Sequence, residues 1–509
     1  MNKLQLLLTA AGLLGCTFLS AQTINYDSLE LYIEQLISDF EVPGLSVGII
    51  QNGETRFLKG YGVREIGTSS SVDEHTLFGI GSISKSFTAL TVALLVSEGK
   101  VDWDDRVRDY LPYFELYEPY VTENFTIRDL LTHRSGLKSV SGGSLWYHSD
   151  LDRTEIIKRL KHLKPETPFR YKPAYQNVMF VVAGEIVAAV SGMSWDAFLK
   201  TRILVPLKMT NTTSISEMRE ASVNLAQPHV RNEAGQKEAV QQERGDNLAA
   251  GGFIYASAKE MLTYMQLLLN DGMHGTDTLL PADVLEELFT PQIIFPLSGP
   301  LHNEFTSYGF GWWLTPRNGH KIIEHSGGID GMAANLVMVE DLDFGLIILS
   351  NTEKEPATSM LTYKILSELL NEPAIVIDYE DIKMRRSNYL QQLQGMQERF
   401  EQFRIKDTQP SVALASYAGT YTDEMYGEVS IQVRNEQELE LSFSHSPIFS
   451  ARLIHWNYDT FRVDWDDIRV PNGFLTFNFD VRQRVTGFKL GQGNLLDVDF
   501  SELDFKKLK

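Results

Sequence analysis

Leu29, Ile33, Leu36 and Phe40 recur three or four residues apart in an otherwise polar stretch. That spacing predicts an amphipathic helix over about 26–40. Two strand-like runs follow, "LSVGII" and "TRFLKGYG", on either side of Asn52-Gly53, a pair suited to a tight hairpin turn. Far downstream, "KIIEHSGG", "AANLVMVE" and "FGLIILSN" give three more strand-like runs with short turns, and "TSMLTYKILSELL" reads as a helix. Strands at both ends around a helix-rich middle predict an α+β domain. Its antiparallel sheet would be built from the two chain ends and flanked by helices, with an all-helical region beside it.

After Pro373 the composition turns polar, charged and helix-prone, which predicts a helical linker over 374–410. From Ser411 the period becomes two. Val429, Ile431 and Val433 alternate with polar residues, as do Leu439, Leu441 and Phe443, and then Leu475, Phe477, Phe479 and Val481. Short strands at this spacing predict a small β-barrel or sandwich over 411–509, standing apart from a first domain over 22–373.

Charge narrows the partners. The 509 residues carry a net charge of -21, which argues against nucleic acid or an anionic membrane, since both want a basic face. Solubility alone accounts for the acidity. The first 21 residues read as a secretory leader: Lys3, an apolar run, then Ser20-Ala21. This predicts export to a periplasmic or cell-envelope location. "LLGC" leaves open a lipid anchor at Cys16; cleavage after Ala21 is favoured, because "TFLS" would make an unusually apolar tether. Cys16 is the single cysteine, so removal of the leader takes away thiolate catalysis, disulfides and cysteine metal sites. No His-Glu-x-x-His or similar spacing occurs, so neither a metal nor another cofactor is expected. Oligomerisation stays open.

Candidate chemistry starts at "FGIGSISKSFTAL", where Ser82 precedes Lys85 by three residues at the head of an apolar helical stripe, Phe87, Leu90, Thr91 and Leu94. Residues three apart on a helix are neighbours, and a helix N-terminus favours the negative charge of an acyl-transfer oxyanion. The bland reading is a helix cap beside a surface lysine. Ser-x-x-Lys is weak alone: about two matches are expected by chance in 500 positions. Ser135…Lys138 is another such match, but Gly136 disfavours a helix there. Two further motifs follow: Tyr175-Gln176-Asn177, and His325-Ser326-Gly327 at the end of an expected strand. Each alone reads as a buried tyrosine or a turn.

Together and in this order, the three motifs resemble those of the serine β-lactamase and penicillin-binding family in its class C-like branch, which also holds D-stereospecific peptidases and esterases. "TIRDLLTHRSGL", "VPLKMTNT", "AAGGFIYASAKEM" and "YGFGWWL" are similar to that family's connecting segments in the same order. The likeness covers about residues 25–370. The C-terminal β-region resembles the lipocalin-like domain appended to some members. No Ser-Asp-Asn triplet is present, which departs from class A enzymes.

The resemblance implies a β-lactamase-like fold and a secreted serine hydrolase acting on a peptide or small-molecule substrate. Ser82 would be the nucleophile, Lys85 and Tyr175 would share the acid–base work, and His325, at the far wall, would tune the Tyr175 proton and the substrate. The N–H groups of Ser82 and Gly328 would form the oxyanion hole. Asn177, Ser326 and Gly327 would hold substrate. Because His325 stands where many members have lysine, D-amino-acid peptides or small esters are expected as substrates. A β-lactamase, or a penicillin-binding sensor that acylates without turnover, stays open as the alternative. A scaffold whose β-domain carries the function is the third reading.

Overall fold

The computed structural model describes residues 24–508 apart from 217–223, 233, 243–244, 297–304, 354, 373–377, 493–494 and 496. The expected leader, Cys16 and the boundary at Pro373 lie outside the described residues.

The first helix runs Tyr26–Asp39. Asn25 caps it by accepting from Ser28 N (3.1 Å), and Leu29, Ile33 and Leu36 are buried. The next two strands, Gly44–Gln51 and Glu54–Gly62, turn at Asn52 (φ 53°) and Gly53 (φ 69°), the left-handed pair that matches hairpin twist. They join an antiparallel eight-stranded sheet along its far edge. Phe344–Ser350 pairs with Gly44–Gln51, and beyond it lie Met332–Val339, His320–Ile329, Trp313–Arg317, Thr306–Tyr308 and Ile293–Phe295. The two chain ends of the domain therefore lie side by side in one sheet.

Strand period divides the sheet into two packed faces. Leu45, Val47, Ile49, Leu346 and Ile348 pack with the helices Tyr26–Asp39 and Ala357–Leu369. Ile347 and Leu349 face the opposite layer, where helix Ala258–Leu269 lies so close that a Cβ on Gly48 would sit 3.1 Å from Leu262. Beyond that layer is the helical region. Helix Ser84–Ser97 is buried at every position from Ser84 to Leu95, so it is enclosed all round, where the sequence stripe predicted one apolar face. Helix Val178–Ser191 packs against it. No single helix among the described residues is long and apolar enough to cross a membrane.

A buried carboxylate organises the turn below these helices. Asp129 accepts from Thr126 N (3.0 Å) and Thr126 Oγ1 (2.8 Å), closing a capping box. It also takes Arg134 Nε (3.0 Å) and Arg170 Nε (2.9 Å). This fixes the segment carrying His133, whose φ of 58° is left-handed.

The C-terminal strands from Gly419–Asp423 to Phe505–Lys507 close into an eight-stranded barrel. Val429, Ile431, Leu439, Leu441, Phe443, Leu475 and Phe477 point inward as the period required. Val433 and Val481 do not: Val433 is exposed at its strand's end, and the strand before Val481 ends at Phe479, because Asp480 accepts from Arg482 N and Arg484 N and starts a turn. The barrel packs against the first domain. Its inner side chains belong to the same continuous apolar cluster as helix Ser84–Ser97. Of the intervening helices, Tyr379–Gln394 is tied to the first domain by Arg386 on Glu355 (2.7 Å) and by Tyr379 on Asp39 (2.8 Å), while Met396–Phe403 sets Phe400 5.2 Å from Phe474 of the barrel.

Asp129→Ala leaves Arg134 and Arg170 without their shared partner and the Thr126 cap half made. We expect a loss of about 3 kcal/mol, read from urea melts of the full chain. A loss below about 1 kcal/mol would show that the turn holds without this carboxylate.

Candidate active site

Ser82 lies in a 3₁₀ turn, Gly81–Ile83, directly before the buried helix. That turn is pressed against the end of strand His320–Ile329, backbone to backbone. A Cβ on Gly327 would sit 1.9 Å from Ile80 O, and one on Gly81 would sit 2.3 Å from Gly328 N. Gly81 also has φ 54°. Only glycines permit this approach, which brings the Gly328 N–H beside the Ser82 turn. Ser82 itself is half-buried, and Ser326 is exposed on the strand.

Lys85 follows one turn after Ser82 and is fully buried. Its Nζ reaches three acceptors: Ser82 Oγ at 2.9 Å, Asn177 Oδ1 at 2.8 Å and Gly251 O at 2.6 Å. The faces of Tyr175 and Phe180 lie 4.8 and 5.4 Å away. Gly251 is held in place because the "AAGGF" segment is pinned to the helix, with Thr88 donating to Ala250 O (2.6 Å) and Ile254 N donating to Ser84 Oγ (3.1 Å). Burial removes water from the ammonium and brings the Lys85 pKa down to about 7, while the Asp497 carboxylate opposes the shift. A neutral Lys85 amine can still donate to Asn177 and Gly251, leaving its lone pair for the Ser82 hydroxyl proton.

Burial acts the other way on Tyr175. Its hydroxyl is buried without a hydrogen-bond partner among the described residues, and desolvation pushes its pKa up, only partly offset by the nearby Ser82 hydroxyl. Tyr175 is therefore a phenol at neutral pH and a proton donor. Its loop is strapped to residues 133–140 by Ala174 N on His133 O (2.9 Å) and Val140 N on Tyr175 O (2.7 Å). Trp313 lies parallel to its ring at 6.3 Å.

His325 is buried, 6.3 Å ring to ring from Tyr175. Its Nε2 lies 2.9 Å from Tyr308 Oη, and its Nδ1 lies 2.6 Å from Ser326 O. The carbonyl can only accept, so Nδ1 carries the proton and Nε2 accepts from the tyrosine. Burial, with Lys85 nearby, takes the His325 pKa down to about 3. The third motif thus supplies a neutral ring and no cation.

The structure brings Ser82, Lys85, Tyr175, Asn177 and the Gly327–Gly328 strand end together. It separates the Ser135…Lys138 pair: Ser135 Oγ accepts from Leu137 N (3.2 Å), while Lys138 pairs with Asp499 of the barrel. Sequence reasoning missed three groups. His133 packs 4.3 Å from Tyr175 and 4.5 Å from Tyr308, accepts from Gln176 N (3.1 Å), and is held neutral by burial. Tyr308 completes that stack. Asp497 reaches Asn177 from the barrel, with Asn177 Nδ2 donating to Asp497 Oδ2 (2.8 Å). Among the described residues no cluster of His, Cys, Asp and Glu could hold a metal.

Comparison with known proteins places this geometry. The family described as Beta-lactamase matches residues 29–369, and one described only as a domain of unknown function, DUF3471, matches 404–507. The chain is 25% identical to Unguisins hydrolase ungD' of Aspergillus campestris over 437 residues, 82% of this chain and 80% of that one. It is 27% identical to Penicillin-binding protein 4* of Bacillus subtilis over 341 residues, 63% of this chain and 70% of that one. The fold is similar to that of an octameric penicillin-binding protein homologue from Pyrococcus abyssi, with TM-score 0.61 and 21% identity, covering 95% of this chain and 100% of that one.

The buried lysine has a thermodynamic signature. An unfolded lysine keeps its proton to about pH 10.4, whereas folded Lys85 gives it up near 7. Between those values the unfolded state binds the extra proton, so stability rises with pH. Relative to Lys85→Met, the parent should gain about 2–3 kcal/mol between pH 7 and 9, read from urea midpoints. Parallel pH profiles for the two proteins would mean that Lys85 is charged when folded.

Proposed function

The chain belongs to the β-lactamase family of serine hydrolases, and on that premise we propose that it cleaves amide or ester bonds through an acyl-enzyme on Ser82. The observation that carries this reading is the 2.9 Å contact between Ser82 Oγ and a Lys85 amine that burial makes able to take a proton. Neutral Lys85 removes the Ser82 proton as the oxygen attacks the substrate carbonyl. The developing oxyanion is met by the N–H groups of Ser82 and Gly328, which the glycine contact holds side by side. The proton on Lys85 then passes, with Tyr175 as the intervening phenol, to the departing amine or alkoxide. Water attacks the acyl-enzyme, Lys85 takes its proton, and Ser82 leaves with that proton restored.

Small esters and D-amino-acid peptides are the proposed substrates, ahead of β-lactams. A β-lactam brings a carboxylate toward the third motif, where His325 is neutral and engaged by Tyr308. The hydrolase name borne by the Aspergillus relative agrees with turnover rather than with sensing alone.

The test uses purified full chain with an activated ester, a D-aminoacyl peptide and a penicillin, following product and intact mass. We expect turnover of the first two to exceed that of penicillin, with adducts on the Ser82 peptide. Ser82→Ala should abolish both turnover and labelling, and Ser135→Ala should leave them. Lys85→Ala should lose on the order of 10³-fold, and Lys85→Arg should not restore it, since arginine cannot give up its proton. His325→Ala should cost about tenfold to a hundredfold. A penicillin adduct that persists without turnover of any substrate would establish the sensor instead. Near-normal rates in Lys85→Arg would remove Lys85 as the base.

A further inference from the structure

The segment holding the Ser135…Lys138 pair is where the barrel docks. Lys138 pairs with Asp499, Ser141 donates to Glu502, and Gly142 N donates to the same carboxylate (3.0 Å). At Gly143 the fit leaves no room for any side chain: a Cβ there would lie 1.6 Å from Asp497 O. Nearby, Arg159 Nη1 donates to Met425 O (2.9 Å), His445 meets Asp150 (2.8 Å), and Tyr147 stacks on Phe449 at 5.7 Å. These contacts deliver one carboxylate, Asp497, to the floor of the active site.

We propose that Asp497, carried by the barrel, is a positioning residue of the active site and acts on Lys85 through Asn177. The geometry is a relay of two hydrogen bonds across one amide. Asn177 Oδ1 accepts from Lys85 Nζ (2.8 Å), and Asn177 Nδ2 donates to Asp497 Oδ2 (2.8 Å). A carboxylate can only accept, so Asp497 fixes which end of the amide faces the lysine. Without it the amide is free to turn its NH₂ toward Lys85, where two donors would oppose each other.

The second effect is electrostatic. The groups facing Lys85 are Ser82, Asn177, Gly251 O, the Tyr175 and Phe180 rings, and at longer range His133, His325 and Asp497. Both histidines are held neutral and Tyr175 is a phenol, so Asp497 is the charge that counters the ammonium. Burial, with the Asp330 carboxylate nearby, raises the Asp497 pKa, and Lys85 and Asn177 lower it, so Lys85 and Asp497 titrate as a pair. Asp497 favours the protonated lysine and burial favours the neutral one. The barrel would thereby set the pH at which the base becomes available.

This inference rests on Lys85 being the base of the proposed hydrolase. Asp497→Asn separates charge from geometry, because the asparagine amide oxygen can still accept from Asn177. In that variant the acid limb of kcat/KM on an activated ester should move to lower pH by about half a unit to one unit, while the plateau stays within about tenfold. Asp497→Ala should also lower the plateau, by about tenfold to a hundredfold. Gly143→Ala, which touches none of the reacting groups, should reproduce the alanine profile by displacing the Asp497 backbone. An acid limb unmoved in Asp497→Asn, with unfolding midpoint and Ser82 labelling intact, would overturn the proposal. Absence of Ser82 labelling in the parent protein would instead remove the hydrolase reading itself.

Discussion

The structure turns on the enclosure of one ammonium group. A lysine carried into an apolar core loses its hydration, and in practice such a group meets that cost by giving up its proton. Everything near Lys85 conforms to this. Its helix is enclosed all round, two aromatic faces close over Nζ, and three oxygens fill its hydrogen-bonding positions. The same desolvation holds Tyr175 as a phenol and His133 and His325 as neutral rings. Burial, more than neighbouring charge, thus sorts these groups into one amine able to take a proton, one phenol able to give one, and neutral rings around them.

Backbone packing supplies the other half of the site. The Ser82 turn and the strand end meet with no side chain between them at Gly81 and Gly327, so the position of the two N–H groups is set by main-chain contact. Where a side chain does intervene it is neutral and satisfied, as at His325 with Tyr308 and Ser326 O. A buried cation in that position would have shared the space with Lys85 and further disfavoured its protonated form.

Much of this was legible in the sequence, for stated reasons. Period two and the Asn52-Gly53 turn announced the strands, and the order of the three motifs announced the resemblance. What the sequence could not reveal are contacts across long separations that leave no periodic trace. His133 meets Tyr308 and Asn177 meets Asp497 only after the helical region and the barrel have packed. Ser135…Lys138 matched a catalytic pattern by residue type alone, and its lysine serves the barrel interface. Val481 fitted an alternation but not the turn that Asp480 imposes. Local pattern predicted elements well, but not what the barrel's finished surface meets, as at Lys138 and Gly143.

The central claim is that Lys85 is neutral at working pH in the resting protein. Lysine labelled with ¹³C at Cε, with the Lys85 resonance assigned by its loss in Lys85→Met, reports that protonation state directly. A midpoint near pH 7 is the predicted result. A midpoint near the ordinary lysine value of about 10.4 would contradict the account, since Lys85 would then be a fixed charge and the Ser82 proton would need another acceptor.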